Sequence, residues 1–355
     1  MSPYLSVRSE RVGDVDSPVV LAVDGNSLVH RSYHAQPDSE HPDWAVRGLL
    51  TQLVAAVDRV RPACVLVGFD DPSSSQRRQR WPQYKANRPE KLASLVDQLA
   101  AAADAMCALG VAVVVPDGLE ADDVLASAAR FARERGARAV LVTSDRDAFA
   151  LIDEHTGVLR IINGGVDASP LLTPDRLMLL LGVRPDQYRD YAALRGDPSD
   201  NLPGVPGVGP KTAARLLARF GTAAAAFADL TTVEAEFGRG LARRLTDPGA
   251  HAAWQLNRAV MAQVDGLELA VDLAGGPGCL PLSADGVAEV FAAHRLTWSA
   301  AQAARVLADT EIEVQRPPRP APAWNPNWTG RRTGRPRVAA PAKPASMQLS
   351  LFDAV

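Results

Sequence analysis

The sequence predicts an α/β fold, a mostly parallel sheet flanked by helices, followed by a helical region and a disordered C-terminal tail. Three observations carry this reading. Short β-branched apolar runs alternate with helix-length segments through the first half, strand signals become rare after Thr173, and the chain turns rich in proline and arginine from Val314 onward. The apolar runs are Val19 to Val23, Val65 to Phe69, Val111 to Val115, Val140 to Val142 and Val158 to Ile162. Each lacks polar alternation, as befits a strand covered on both faces. The segments Val46 to Val60, Leu92 to Leu109 and Ala121 to Arg135 have helix length, and strand-helix-strand alternation implies parallel pairing. Thr173-Pro174-Asp175 reads as a capped helix start, and Ala, Leu and Arg dominate from there to about residue 310. The expected division is a flexible start over 1–17, an α/β domain over 18–172, a helical domain over 173–313 and the tail over 314–355.

Composition narrows the class. A chain of 355 residues that is 47% hydrophobic and 22% charged can bury a core and is not mainly disordered. No run approaches eighteen apolar residues and the first seventeen hold no apolar signal core, so a cytoplasmic protein without membrane association is expected. Cys64, Cys107 and Cys279 stand far apart in sequence and in no paired motif, which reads as three buried small apolar residues rather than a zinc or disulfide framework. The net charge of -3 conceals an asymmetry: Val314 to Phe352 holds seven cations and no acid. With Asp353 the tail carries +6, so the body carries -3 minus 6, or -9.

That acidity is concentrated. Three strand runs lead into aspartates: VVLAVDGN into Asp24, VLVGFDD into Asp70, and VLVTSDRD into Asp145 and Asp147. Strand carboxyl ends share one edge of a parallel sheet, where ligands bind. Asp and Asn are also ordinary turn residues after strands, but three strand ends in register weaken that explanation. Glu120, Asp122 and Asp123 open a helix, where acids suit the helix dipole. Asp197 and Asp200 flank Pro198 in RGDPSDNLPG, a spacing that a simple cap also explains. Nine convergent carboxylates could not all stay ionised without cations. An oxygen-only donor set favours Mg²⁺ or Mn²⁺, and two such ions would suit phosphodiester cleavage.

Two segments suit a polyanion. The stretch after Asp70 interleaves Arg77, Arg78, Arg80, Lys85 and Arg88 with Trp81 and Tyr84, cations for phosphates and rings for bases, though a solvated basic loop has the same composition. GVPGVGPKTAARLLARF places Gly204, Gly207 and Gly209 ahead of a helix carrying Lys211 and Thr212. Glycines there admit a close phosphate, with helix N–H groups facing it.

Together VDGNSLVHRSYHA, VGFDDPSSSQRRQRWPQYKANRP, GLEADDVLA, VTSDRDAFALI and GDPSDNLPGVPGVGPKTA resemble, in order, the motifs of the 5′-nuclease superfamily: the exonuclease domain of A-family bacterial DNA polymerases, phage 5′ exonucleases and flap endonucleases. The resemblance covers about residues 19 to 310, and the length leaves no room for polymerase or proofreading domains, so the free-standing bacterial form is the nearer match. It implies a PIN-like or resolvase-like catalytic domain, a helix-three-turn-helix element that can also hold K⁺ through carbonyls, and a helical arch at about 71–95 through which a 5′ single strand passes. Asp24, Asp70, Glu120, Asp122 and Asp123 would surround one metal, and Asp145, Asp147, Asp197 and Asp200 the other. Arg77, Tyr84 and Lys85 would act from the arch and Arg31 near the scissile phosphate. Arg78, Arg80, Trp81 and Arg88 would contact the strand, and Gly204, Gly207, Gly209, Lys211 and Thr212 the duplex. Arg146 stands where many relatives have lysine.

The implied activity is exonuclease and 5′-flap cleavage of DNA, at a flap, nick, gap or primer end, by a monomer. The terminal QLSLF, through Gln348, Leu349, Leu351 and Phe352, resembles the peptide by which bacterial replication proteins bind the β sliding clamp. A clamp-tethered scaffold without activity is the alternative of another class, and loss of acidic ligands would mark it. A PIN-type ribonuclease would not need the glycine-rich hairpin. A haloacid-dehalogenase-type phosphatase fails because position 26 is Asn rather than a second aspartate.

Overall fold

Every residue of β1 (Val19–Asp24) is buried. Val20 and Ala22 face one core while Leu21 and Val23 face the other, as the two-residue period of a strand requires. In this computed structural model, which describes residues 17–35 and 41–311, β1 lies between two parallel neighbours, β2 (Cys64–Gly68) and β4 (Arg138–Thr143). Beyond them lie β3 (Ala112–Val114) and β5 (Thr156–Arg160), and the short β6 (Leu171–Leu172) pairs antiparallel at the far edge. The order is β3-β2-β1-β4-β5-β6. Sequence periodicity does not reveal β6, because two residues carry no period.

On one face, α1 (Gly25–Ala35), α2 (Trp44–Val60) and, after the short α3 (Gln76–Arg80), α4 (Ala93–Ala108) cover the odd-numbered side chains of β1. On the other, α5 (Ala121–Glu134) presses on β1 and β4. A Cβ on Gly68 would stand 2.8 Å from the Cβ of Val124, so glycine at the end of β2 lets α5 approach closely and brings its acidic first turn to the sheet edge.

The chain continues through α6 (Gly165–Ala168) and α7 (Pro174–Leu181), where Thr173 caps the helix by accepting from the Arg176 N–H. Next come α8 (Pro185–Arg195), a ribbon of β7 (Gly196–Asp197) and β8 (Leu202–Pro203), and α9 (Pro210–Phe220). The remaining short helices are α10 (Ala223–Ala228), α11 (Leu230–Phe237), α12 (Arg239–Leu245) and α13 (Pro248–Val260). The last pair, α14 (Ala284–Ala293) and α15 (Thr297–Leu307), returns to the sheet layer. Val287, Phe291 and Leu307 share a core with Leu49, Leu53 and Met106, and His294 Nδ1 lies 2.6 Å from Asp43 Oδ2. All described residues belong to one compact unit.

The cysteines and the arch differ from expectation. Cys64 and Cys279, far apart in sequence, face each other across an antiparallel bridge, flanked by hydrogen bonds from Val65 N to Gly278 O at 2.8 Å and from Leu280 N to Ala63 O at 3.0 Å. Of the three cysteines expected inside, only Cys64 is buried: Cys279 is half-buried and Cys107 exposed. The arch over 71–95 is helical only in α3 and the first turn of α4. Pro82 and Pro89 interrupt any helix between them, and Lys85 adopts φ 57°. The flexible start up to residue 16, the tail and the QLSLF peptide lie outside the described residues.

Candidate active site and nucleic-acid interface

Parallel register sets the first carboxylates level. Asp24 pairs with Gly68 across β1 and β2, and Val23 with Val142 across β1 and β4, so Asp70 and Asp145 emerge just beyond the same edge. Hydrogen bonds then orient each group. Asp24 accepts from Ser27 N at 2.8 Å and from Thr143 Oγ1 at 2.7 Å. Asp70 accepts from Asn26 Nδ2 at 2.7 Å and from Ala121 N at 3.0 Å. Asp145 accepts from Asp147 N at 3.0 Å, and Asp122 sits in the first turn of α5. Asp197 accepts from Ser199 N at 2.8 Å and Ser199 Oγ at 2.6 Å, so the cap explanation and the site position hold together for this residue.

Protein cations divide the cluster into a rim and a floor. Glu120 meets Arg77 at 2.6 Å and Lys85 at 3.1 Å. Asp200 pairs with Arg88, while Lys91 stands 4.0 Å from Asp70 and Arg195 3.9 Å from Asp197. Among the described residues no ion pair reaches Asp24, Asp122, Asp145 or Asp147. Burial, reinforced by Asp70 and Asp145 against the hydrogen bonds from Ser27 and Thr143, pushes the Asp24 carboxyl up to about 7. Burial and then Asp145 push Asp122 and Asp147 well above the carboxylate range. On the rim the balance reverses for Glu120, whose burial cost is outweighed by Lys85 and Arg77.

Several residues do something other than the sequence suggests. Asp123 is fully buried and turned away from the cluster: Oδ1 accepts from Arg77 at 2.6 Å and from Val264 N at 2.8 Å, and Oδ2 accepts from Glu120 N at 3.0 Å. Its carboxylate closes a capping box on α5 rather than facing the cleft. Arg77 is buried too, donating to Glu120, Asp123 and the Ala262 carbonyl, so it braces the acids from beneath instead of meeting a phosphate. Trp81 is partly buried against the core, with the Arg80 guanidinium 4.7 Å from its ring. Tyr84 is buried, its hydroxyl donating to Glu120 at 3.1 Å. Burial lowers and the acids Glu120 and Asp200 raise the Lys85 pKa, and the acids win, so the ammonium stays charged at the cleft.

An open cleft of about 2120 Å³ lies above this arrangement. Its lining includes Asp24, Asp70, Glu120, Asp122, Asp145 and Asp197 below, with Arg31, Arg78, Tyr84, Lys85 and Arg88 around them. Asp147 and Asp200 line a small recess beside it, together with Arg77 and Tyr84. Arg31 donates to Asn163 Oδ1 at 2.9 Å at the cleft wall. The hairpin glycines separate by role. A Cβ on Gly204 would lie 2.0 Å from the Arg195 carbonyl oxygen, so Gly204 serves backbone packing and not phosphate approach. Gly207, at φ 76°, abuts Arg244. Gly209 alone of the three has open space at its Cβ position, immediately before the α9 N-terminus that presents Lys211 and Thr212.

The sequence of the first part, residues 19–177, matches the model of the 5′-3′ exonuclease N-terminal resolvase-like domain, and residues 183–273 match that of the 5′-3′ exonuclease C-terminal SAM fold. The chain belongs to the 5′-3′ exonuclease family. A 5′-3′ exonuclease of Aquifex aeolicus is 33% identical over 204 residues, covering 56% of this chain and 69% of that one. DNA polymerase I of Mycobacterium tuberculosis is 36% identical over 238 residues, 65% of this chain but only 26% of the polymerase. This exonuclease-family chain thus spans about a quarter of those polymerases. In fold it resembles T5 5′-exonuclease with bound divalent zinc ions (TM-score 0.56, 18% identity, 68% of this chain and 89% of that one). It also resembles the catalytic core of Rad2 in complex with DNA substrate (TM-score 0.53, 15% identity, 86% and 94%).

The donors of this family member suit a hard divalent cation: they are carboxylates, crowded, and at the floor only partly offset by Lys85. Among the described residues no three His, Cys, Asp or Glu side chains are grouped closely enough to hold a metal ion as they stand, so the full convergence expected of the nine carboxylates is not seen. Sequence reading misses the supporting residues Asn26 and Thr143, which orient Asp70 and Asp24, and Lys91 at the rim. Asn26 stands inside the VDGN motif, two residues after Asp24, and that proximity is the one available signal. Among the described residues no helix is long and apolar enough to cross a membrane.

Proposed function

We propose that this chain is a divalent-metal-dependent 5′-nuclease that cleaves DNA at 5′ ends, 5′ flaps, nicks and gaps, leaving a 5′-phosphate and a 3′-hydroxyl. The observation that carries this is the crowded floor of Asp24, Asp122, Asp145 and Asp147, without a direct ion pair among the described residues and set beneath an open cleft whose rim supplies cations. These four carboxylates, with Asp70, Glu120, Asp197 and Asp200 at the rim, would hold the metal. When bound, two divalent ions supply Lewis acidity and lower the pKa of water. The chain's own part is positional and electrostatic. Lys85 and Arg31 at the cleft counter charge on the phosphate, and the α9 N-terminus with Gly209, Lys211 and Thr212 holds the duplex backbone.

The oxygen-only donor set supports Mg²⁺, with Mn²⁺ as its substitute. K⁺ at the hairpin carbonyls rests on the family resemblance. The reading extends to a cytoplasmic monomer acting in replication and repair, docked on a sliding clamp through Gln348, Leu349, Leu351 and Phe352. Deleting 348–355 should remove clamp binding and leave cleavage of bare DNA unchanged. The deciding experiment maps the products of a 5′-labelled flap duplex with Mg²⁺, Mn²⁺ or EDTA. Metal-dependent cutting near the junction is expected, and tight binding without cutting under either metal would overturn the reading in favour of a scaffold.

A further inference from the structure

Four hydrogen bonds tie the arch segment to the ribbon turn that carries Asp197 and Asp200. Lys85 N donates to Asp200 O at 2.9 Å. Asn201 Nδ2 donates to Gln83 O at 2.8 Å, Asn87 Nδ2 to Pro198 O at 3.0 Å, and Arg88 Nε to Ser199 O at 3.2 Å. The anchors bracket Lys85, with Gln83 before it and Asn87 and Arg88 after it. Each joins segments more than a hundred residues apart in sequence.

Lys85 and Asn201 both adopt left-handed backbone, φ 57° and φ 58°. Asparagine visits that region readily, whereas lysine seldom does. Local turn hydrogen bonds, from Ala86 N to Gln83 O at 3.2 Å and from Arg88 N to Lys85 O at 3.1 Å, shape the segment, and the contacts from across the cleft fix it in place over the carboxylates. The result is an ammonium 3.1 Å from Glu120 Oε1 and 4.7 Å from the Tyr84 ring centre.

We propose that Asn201 is a positioning residue for Lys85: its side-chain amide fixes residues 83–88 on the ribbon turn, so that the Lys85 ammonium stands over the carboxylates where the phosphate must pass. The inference rests on the nuclease reading above. Asn201 touches neither metal nor substrate in this role and acts through the arch backbone. Because the hydrogen bond runs from the carboxylate turn to the arch, displacement of one segment must displace the other.

Asn201→Gly isolates the effect, since glycine keeps the left-handed backbone and loses only the amide. On a flap duplex with Mg²⁺, kcat should fall on the order of tenfold to a hundredfold while KM stays within about twofold. The same substitution added to Lys85→Ala should cause no further loss, because the residue it positions is already gone. Hydrogen exchange supplies a readout independent of cleavage: the Lys85 amide should be protected in the native chain and exchange faster in Asn201→Gly. An equal fold-loss in both backgrounds, or unchanged Lys85 exchange, would overturn the proposal. If the native chain does not cleave at all, the nuclease reading fails by itself, and the exchange measurement still decides whether Asn201 holds the arch.

Discussion

Arg77 and Asp123 form a 2.6 Å ion pair beneath the cleft, with the Asp123 side chain wholly buried. The pair joins α3 to α5, and through Ala262 O and Val264 N it reaches the segment after α13. Asp122, one residue earlier in sequence, faces the acids of the floor instead. Adjacent positions on a helix point about 100° apart, so one aspartate serves the fold and its neighbour serves the site.

Substitution should separate the two. Asp123→Ala leaves a buried guanidinium short of a partner and should cost about 3–5 kcal/mol of stability, read as a lower Tm. Asp122→Ala removes a carboxylate repelled by Asp145 and Asp24, so Tm in EDTA should hold or rise while cleavage is abolished and duplex binding survives. A stable but inactive Asp123→Ala would return that residue to the ligand set.

The crowded floor has a pH signature. The Asp24 carboxyl titrates near 7 when folded against an ordinary 3.8, so the folded chain binds the extra proton between those values. The Asp24 contribution to the stability of the metal-free protein should therefore fall as pH rises from about 4 to about 7, while His30, whose pKa burial lowers to about 4, contributes a rise over much of the same window. Asp122 and Asp147 act in the same direction as Asp24. Comparing Tm against pH for the native chain and Asp24→Asn in EDTA isolates the Asp24 share, and the variant should show the shallower fall. Saturating Mg²⁺ should flatten the native curve, since the ion replaces the protons. Identical slopes in EDTA for native and variant would contradict the crowding.

Much of this site is legible in the chain, because the strand-end aspartates follow from local rules: a buried apolar run sets the strand, and register sets Asp24, Asp70 and Asp145 on one edge. What is not legible depends on partners distant in sequence. Arg77 and Trp81 read as exposed nucleic-acid contacts because charge and aromaticity say nothing about which side of a loop faces the protein. The fold turns Arg77 inward, against Glu120 and Asp123, and leaves Trp81 half-buried against the core. Cys64 opposite Cys279, and α14 and α15 packed on α2 and α4, are likewise products of chain return that no local pattern encodes.

The hairpin glycines give the last test, because their surroundings differ although the motif treats them alike. Gly204 has the Arg195 carbonyl oxygen 2.0 Å from where a Cβ would sit, and this obstacle is backbone that cannot rotate aside. Gly204→Ala must push the ribbon away from α8, which should lower Tm by overpacking of about 1–3 kcal/mol. The same shift would displace Asp197 and Asp200 on that ribbon, so cleavage should fall as well. Gly209 is different: its φ of -86° suits any residue and nothing lies within 4 Å of its Cβ position. Gly209→Ala should leave Tm unchanged. If the duplex backbone approaches the α9 N-terminus there, the added methyl should weaken duplex binding without altering the metal dependence of cleavage. Equal Tm losses for both variants would show that open space at Gly209 does not exist in solution, and unchanged duplex affinity in Gly209→Ala would move the DNA contact elsewhere.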